Sequence, residues 1–226
     1  MYIPAANRID DPAKIHSFIH AYAFATVVTQ NGGTPWGSHL PVLLEECDRA
    51  ATILRSHMAR ANEQWKHFEP NREVLCIFHG PHAYISPAWY VQQHTVPTWN
   101  YAAVHVYGYP TIVDSAALRK IVVDTTENYE TKMPQPWRLP LSDSEMNAML
   151  KAIVGFTIAI TRIEAKFKLS QNLSKADQEG AVRGLQNSGD PLNLELAKFT
   201  RAHSNLDGAR FASQDAVDKP EPPPGP

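Results

Sequence analysis

Alternating apolar and polar positions dominate the first half of the chain and predict β-strands. Residues 23–30 and 37–46 flank an Asn-Gly-Gly turn and predict a hairpin. Pro41 places the second strand at a sheet edge or beside a bulge, because proline cannot donate a ladder hydrogen bond. Further strands are predicted at 51–54, 73–80, 83–90 and 99–114. This half is therefore predicted to be antiparallel sheet.

Helical periodicity dominates the second half, with one late strand at 156–169 that we expect to bend near Arg162. Ser142 and Glu145 form a predicted capping box. Helices are predicted to begin at Asp11, Ser115, Ser142, Ser174 and Asp190. The inner face of the helix after Ser142 is predicted to carry Met146, Met149, Leu150 and Ile153.

Strands first and helices afterwards predict a mainly β fold with peripheral helices (α+β), closed as a small β-barrel. A doubly wound parallel sheet is excluded, because the first half leaves no room for alternating helices. We expect one domain over 1–205 and a proline-rich, disordered tail over 206–226.

Composition narrows the class of protein. The 226 residues are 43% hydrophobic and 19% charged, which is typical of a globular domain, and the net charge is −2. A domain that binds nucleic acid by itself usually has a basic face or a high pI, and these totals show neither. Cys47 and Cys76 are expected to be reduced thiols. Without a signal peptide or a run of about 18 apolar residues, a cytoplasmic protein with no membrane span is expected.

A polar cluster follows the apolar run at 51–54. Its side chains are those of Ser56, His57, Arg60 and Asn62. Arginine offers a planar fork of donors, serine and asparagine add neutral ones, and a helix beginning near Ala59 would add backbone N–H groups, so the cluster suits an anion. The alternative is a helix cap followed by a solvated turn.

Aromatic residues are concentrated between positions 84 and 101. They are Tyr84, Trp89, Tyr90, Trp99 and Tyr101, with Ser86 and Asn100 among them. Such a set forms either a slot for a flat heterocycle or a core and dimer interface. On the strand at 165–169, Lys166 and Lys168 face one way, which makes them either a solvated face or a second basic group for the same anion.

The sequence lacks the usual motifs of metal sites, serine hydrolases and nucleotide-binding loops. The ten histidines include no His-x-His and no H-E-x-x-H, so no metal site is predicted. The sequence also has no G-x-S-x-G elbow, no P-loop and no G-x-G-x-x-G fingerprint.

Taken in order, several segments resemble one known family, the PaiB-type FMN-binding negative transcriptional regulators. The segments are MYIP, HLPVLL, SHMARANEQW, VLCIFHGPHAYISPAWY, VPTWNYAAVHVYG and KFKLSQN, and they extend from Met1 to about Leu185. The resemblance implies an FMN-binding split β-barrel, similar to the pyridoxamine-phosphate oxidase superfamily. It also implies a homodimer with FMN at the subunit interface.

The resemblance assigns the candidate cofactor-binding residues. The phosphate and ribityl region is expected at His39, Ser56, His57, Arg60 and Asn62. The flavin ring and dimer seam are expected at Tyr84, Ser86, Trp99 and Asn100. Lys168 and Gln171 are expected to come from the partner subunit.

Three classes of function remain open. The family implies a transcriptional repressor, although the sequence shows no helix-turn-helix and no basic arm that would support direct DNA binding. The same fold suits a flavin-dependent oxidoreductase, either an NAD(P)H-linked reductase or an oxidase, and no catalytic residue is assigned. Haem binding, with His57 or another histidine as axial ligand, is a lesser alternative. A dimeric scaffold without flavin is the third class.

Overall fold

A computed structural model describes residues 1–46, 52–92, 95–138, 140–204 and 206. Cys47 and the tail from residue 207 onward lie outside these described residues. Within these described residues, eight strands form one sheet: β1 Arg8–Ile9, β2 Phe24–Asn31, β3 Thr34–Pro41, β4 Leu43–Glu45, β5 Ile53–Ala59, β6 Val74–Ile85, β7 Thr98–Ile112 and β8 Ile153–Lys168. The same part of the chain forms five α-helices around it: α1 Pro12–Ala21, α2 Ser115–Glu130, α3 Asp143–Leu150, α4 Lys175–Asn187 and α5 Pro191–His203.

One nearly continuous stretch of chain closes the sheet into a barrel. The strand order is β3-β2-β6-β7-β8-β5-β4, and every pairing is antiparallel. Only Val42 separates β3 from β4, so the two terminal strands of this order are joined in sequence. Pro41 ends β3, as expected for a residue that cannot continue the ladder. The mainly β, α+β prediction is confirmed.

The prediction of two strands at 73–80 and 83–90 is wrong. A single strand, β6, runs through Gly80-Pro81, and its register with β7 shifts between His79 and His82. A β-bulge of this kind accommodates a proline inside a strand. Gly80 is needed there, because a Cβ would crowd the ring of Phe18.

The prediction that the third strand ends near residue 54 is also wrong. Strand β5 continues to Ala59 and buries alternate side chains, namely Leu54, Ser56 and Met58. The helix expected near Ala59 is instead a five-residue 3₁₀ turn, Glu63–His67, which is capped by Asn62. A serine hydroxyl and an imidazole inside the strand misled the prediction, because the period-two burial pattern continues through them.

The helix starts are confirmed, and side-chain caps come from Asp11, Asp114, Ser142, Ser174 and Asp190. The capping box of Ser142 and Glu145 is present. Met149, however, is 60% exposed, and Ile153 lies in β8 instead of α3. Met146 and Leu150 alone among the predicted four pack inward from α3, one turn apart.

Phenylalanines fill much of the barrel interior and its junction with the helices. Phe78, Phe156 and Phe167 are fully buried, and Phe18 of α1 and Phe199 of α5 pack against Phe167 with ring centroids 5.2 and 5.0 Å away. Near Arg162, where a bend in β8 is predicted, the register with β7 shifts so that Thr161 is passed over between Arg162 and Ile160. No helix in the described part of the chain is long and apolar enough to cross a bilayer.

Candidate functional site

The first candidate group lies where β3 passes into β4. We call Ser56, His57, Arg60 and Asn62 the strand-joint group. Ser56 is 1% exposed, and its hydroxyl donates to the carbonyl of Pro41 over 2.6 Å. Asn62 accepts from the N–H of Gln64 and donates to the hydroxyl of Ser38. These two side chains therefore hold the joint together.

Arg60 keeps its charge at the edge of a cavity. Its Nε donates to the carbonyl of Lys151 over 2.7 Å, and its Nη2 donates to the carbonyl of Ile153 over 2.8 Å. The adjoining cavity, of about 460 Å³, is also lined by Trp65 and by the first residue of α2, Ser115. The two backbone carbonyls hold the guanidinium in place but carry no formal charge. The fixed guanidinium therefore suits the binding of an anion.

His57 is the member of the strand-joint group with unused hydrogen-bonding capacity. It lies on the outer side of β5, opposite Gly155 of β8. Its Nδ1 is buried and has no hydrogen-bond partner among the described residues. Burial also lowers the pKa of the imidazole below 6.5, which favours the neutral ring. A buried polar atom without a partner marks a position where a ligand would complete the hydrogen bonding.

The second group lies on the outer face of β6, β7 and β8. We call Tyr84, Trp99, Tyr101, Lys166 and Lys168 the sheet-face group. Tyr84 and Trp99 are 46% and 55% exposed, and their ring centroids are 6.3 Å apart with an interplanar angle of 76°. Two large exposed aromatics at right angles form an open wall that could receive a flat ring.

The lysines of this group lack acidic partners. Lys166 is only 7% exposed, and its ammonium lies 5.0 Å from the ring of Tyr101 and 5.6 Å from that of Tyr2. Lys168 donates to Thr98 and to the carbonyl of Trp99, and burial lowers its pKa. Neither lysine is in an ion pair within the described chain. A buried lysine without a carboxylate partner, as at Lys166, favours an incoming anion.

Four other predicted residues have supporting positions. Asn100 is 1% exposed and donates to the hydroxyl of Ser170 over 2.9 Å. Gln171 accepts from the N–H of Leu169 over 2.6 Å and so closes the turn around Ser170, whose φ is 64°. Ser86 caps the 3₁₀ turn Pro87–Trp89. His39 lies outside the strand-joint group, hydrogen-bonded to Thr26 on the exposed side of β3.

Sequence reasoning left some neighbouring residues out of the site. His79 and His82 lie against each other at 4.6 Å between ring centroids, brought together by the bulge in β6. Trp89 packs on α4, and Asp177 of α4 accepts backbone hydrogen bonds from the segment that follows Trp89. Strand alternation could have placed Lys166 beside Tyr101, but the bulge and the α4 contact depend on the fold.

The two groups lie at opposite ends of β8. His57 is opposite Gly155 near the start of this strand, whereas Tyr101 is opposite Lys168 at its end. Gly155 and Lys168 are 13 residues apart in β8, so within one chain the two groups lie at different ends of this strand. Across the described ranges, no three His, Cys, Asp or Glu residues are arranged to hold a metal ion.

A family model described as a putative FMN-binding domain matches residues 1–162. Protease synthase and sporulation protein PAI 2 of Bacillus subtilis is 38% identical over 201 residues, covering 88% of this chain and 96% of that protein. An uncharacterized protein of Emericella nidulans is 32% identical over 208 residues, covering 75% and 82%.

Solved structures support the fold. An FAD- and heme-binding protein from Mycobacterium smegmatis matches with a TM-score of 0.55 and 12% identity, covering 72% of this chain and 73% of that chain. A conserved hypothetical protein from Mycobacterium tuberculosis matches with a TM-score of 0.54 and 16% identity, covering 77% and 94%. At these identities the likeness shows a shared split-barrel fold, which confirms the predicted architecture.

Proposed function

The chain belongs to the family of putative FMN-binding domains, and we propose that it holds FMN at a seam between two copies of itself. The family match covers the strand-joint group together with Tyr84 and Trp99. Lys166 and Lys168 lie just beyond it. Both groups have properties that suit a flavin phosphate and ring.

One observation carries this proposal, namely the separation of two incomplete groups along β8. The strand-joint group offers a fixed arginine and an unpartnered imidazole nitrogen. The sheet-face group offers aromatic rings and two cations without carboxylates. In a two-fold symmetric homodimer, β8 of one protomer would run antiparallel to β8 of its partner. The strand-joint group of each protomer would then lie beside the sheet-face group of the other, which completes two equivalent sites.

The outer face of the sheet suits such a seam. Half-buried apolar side chains lie on it at Val28, Leu75 and Ile77, in neighbouring strands β2 and β6. Tyr107 of β7 is paired with Leu75 and continues the same row. Partly exposed apolar and aromatic rows across adjacent strands are typical of protein interfaces.

Each side chain then has a role toward FMN. Arg60 and the lysines of the sheet-face group would bind the phosphate, while Tyr84 and Trp99 would enclose the ring. The neutral His57 would hydrogen-bond a polar atom of the ribityl chain or the ring. Bound FMN supplies electron and hydride transfer, and the protein holds and orients it. The remaining predicted residues, His39, Ser56, Asn62, Ser86, Asn100 and Gln171, would support these positions.

Flavin retention tests the proposal. FMN is added to the purified protein, excess is removed by gel filtration, and the bound flavin is measured by its visible absorbance. About one FMN per subunit is expected. Arg60→Ala is expected to weaken FMN binding about tenfold or more, because a hydrogen bond to a charged group contributes about 1.5–3 kcal/mol. Lys120→Ala, at an exposed lysine of α2, is the matched control and should bind as the wild type does.

Because Arg60 also donates to two backbone carbonyls, the free energy of unfolding of each variant must be measured alongside. Unchanged FMN affinity in a stably folded Arg60→Ala protein would remove the phosphate assignment. A wild-type protein that retains no FMN would contradict the proposal as a whole, and a sharp Soret band on adding haem would favour the haem alternative.

The dimer seam has its own test. Leu75→Glu would place a carboxylate in the apolar row, between Val28 and Tyr107, and is expected to give monomers in light scattering after size exclusion. FMN should be lost with the dimer, because each site would lose one of its halves. Gln30→Glu, at an exposed position of β2, serves as control. A monomeric wild type that still binds FMN would rule out the shared site.

We propose a regulatory role for the flavin-loaded dimer, as the PaiB-type resemblance and the sporulation protein of Bacillus subtilis suggest. Regulation through a protein partner fits better than direct operator contact, since the net charge is −2. A gel-shift titration across salt concentrations tests this, because direct DNA binding would weaken steeply as salt rises.

An oxidoreductase is the second candidate, and the exposure of Tyr84 and Trp99 favours it. A flavin ring against this wall would remain accessible to a small electron donor. Anaerobic bleaching of the flavin absorbance by NADH or NADPH, faster than for free FMN, would identify a reductase. Bleaching no faster than that of free FMN would leave the regulatory role as the better assignment.

A further inference from the structure

Helix α4 packs closely against the segment that follows β6. Gly180 and Gly184 lie one turn apart on α4, and both face Trp89. A Cβ at Gly184 would fall inside the indole ring, and a Cβ at Gly180 would collide with the carbonyl oxygen of Trp89. Both glycines are therefore needed for this close approach of helix and tryptophan.

An acidic residue of the same helix fixes the next part of the segment. Asp177 is 3% exposed, and its Oδ1 accepts from the N–H of Val91 over 2.8 Å and from that of Gln92 over 3.2 Å. Its other oxygen accepts from the hydroxyl of Ser174 over 2.7 Å. Helix α4 thus holds the segment 86–92 by packing and by charge-assisted hydrogen bonds.

The segment 86–92 directly follows the strand that carries Tyr84, one of the two residues of the aromatic wall. Tyr84 and Ile85 end β6, and Ser86 then caps the 3₁₀ turn that contains Trp89. Trp99 pairs with Tyr84 across the ladder. On the other side, Lys168 donates to the carbonyl of Trp99, just before the turn that leads into α4. Strands β6 and β7, which carry Tyr84 and Trp99, are therefore both connected to α4, the first through the segment 86–92 and the second through Lys168 of β8.

We infer that α4 is a positioning element for the flavin ring, and that Gly184 and Asp177 are positioning residues which set the Tyr84–Trp99 wall through Trp89. The family match ends at residue 162, so this helix lies outside the matched flavin-binding segment. The inference rests on the proposed function for its ligand. The coupling of α4 to the wall does not require any ligand and can be measured without one.

The first experiment therefore uses ligand-free protein labelled with 5-fluorotryptophan. Gly184→Ala is expected to shift the ¹⁹F resonances of Trp89 and of Trp99, each assigned with its Trp→Phe variant. Gln186→Ala, at an exposed position of the same helix, is the matched control and should shift neither. A folded Gly184→Ala protein with an unmoved Trp99 resonance overturns the inference. If Gly184→Ala does not fold, Asp177→Asn takes its place with the same expected result.

The second experiment separates the ring from the phosphate by comparing FMN with riboflavin. Displacing an aromatic wall is expected to weaken both ligands by a similar factor, up to about tenfold. Gly184→Ala should therefore leave the ratio of the two affinities unchanged, whereas Arg60→Ala should reduce it. Flavin fluorescence should also rise in Gly184→Ala, because Trp99 would quench it less.

The possible outcomes distinguish the positioning role of α4 from the proposed binding of FMN. Unchanged affinity and unchanged fluorescence in a folded Gly184→Ala protein would overturn the role of α4, while FMN binding by the wild type would stand. A wild type that binds no flavin, with a shifted Trp99 resonance in the variant, would contradict the proposed function and retain the coupling.

Discussion

At the scale of single residues, a polar side chain in a candidate site can belong to the scaffold. Ser56 and Asn100 look like ligand contacts in the sequence, yet each is 1% exposed and hydrogen-bonded within the barrel. His57, the residue that follows Ser56, has a ring nitrogen with no hydrogen-bond partner in the part of the chain that the structure describes. Sequence spacing cannot separate these cases, because strand alternation fixes the face of a side chain but not its partner.

Ser56→Ala provides a test of this distinction. The change removes the part-buried hydrogen bond from the Ser56 hydroxyl to the carbonyl of Pro41, at the joint between β3 and β4. The free energy of unfolding is expected to fall by about 1–3 kcal/mol, measured by urea denaturation. FMN affinity should stay close to that of the wild type. Ser17→Ala, at an exposed position of α1, is the control, and a stable Ser56→Ala protein with lost FMN would place Ser56 in the ligand site instead.

At the scale of elements, the sequence predicts which segments are strands and helices better than where they end. The capped helices were located correctly, because a capping side chain and the first helical residues are neighbours in sequence. Strand β6 was divided at Gly80-Pro81, a local turn signal that the ladder overrides by forming a bulge. The end of β5 was misplaced for a similar reason, since its pairing with β8 is set by residues about a hundred positions away.

The attachment of α2 to the barrel is an element-scale contact that sequence reasoning did not find. Arg55 of β5, 13% exposed along its side chain, forms ion pairs with Glu45 and Asp124, each at 2.6 Å. Arg55→Leu is expected to lower the free energy of unfolding by about 1–3 kcal/mol, less than for a fully buried pair because both acids are partly exposed.

Lys120 contacts the same carboxylate of Asp124 at 2.7 Å but is 65% exposed, so it makes a matched control. Lys120→Leu should cost less than about 1 kcal/mol. Equal losses in the two variants, measured by urea denaturation, would show that exposure does not govern these ion pairs.

At the scale of the whole molecule, the order of elements was enough to predict an α+β barrel, and the family resemblance identified it as a split barrel. The arrangement of the site was not predictable. The strand-joint group and the sheet-face group are adjacent to different ends of one long strand, and only the folded structure shows that separation. The clamp of α4 on Trp89 likewise joins residues about ninety positions apart.

The pH dependence of stability is a property of the whole chain. Burial, as the largest cause in each case, lowers the pKa values of His57, His79 and His105 below 6.5 in the folded protein. As the pH falls through 6.5, the unfolded chain binds protons at these residues before the folded chain does, so unfolding becomes more favourable. Stability is therefore expected to be complete above about pH 6.5 and to decrease toward pH 5.

Urea unfolding of the ligand-free protein between pH 5 and 7.5 measures this effect. The interval avoids Asp124 and Glu164, whose lowered pKa values act below their ordinary values of 3.8 and 4.5. Replacing the three histidines by asparagine should flatten the profile, because their imidazoles would no longer take up protons in the unfolded chain. A wild-type profile that is already flat would mean that these imidazoles are hydrated in solution, which would also weaken the assignment of His57 as a neutral partner for FMN.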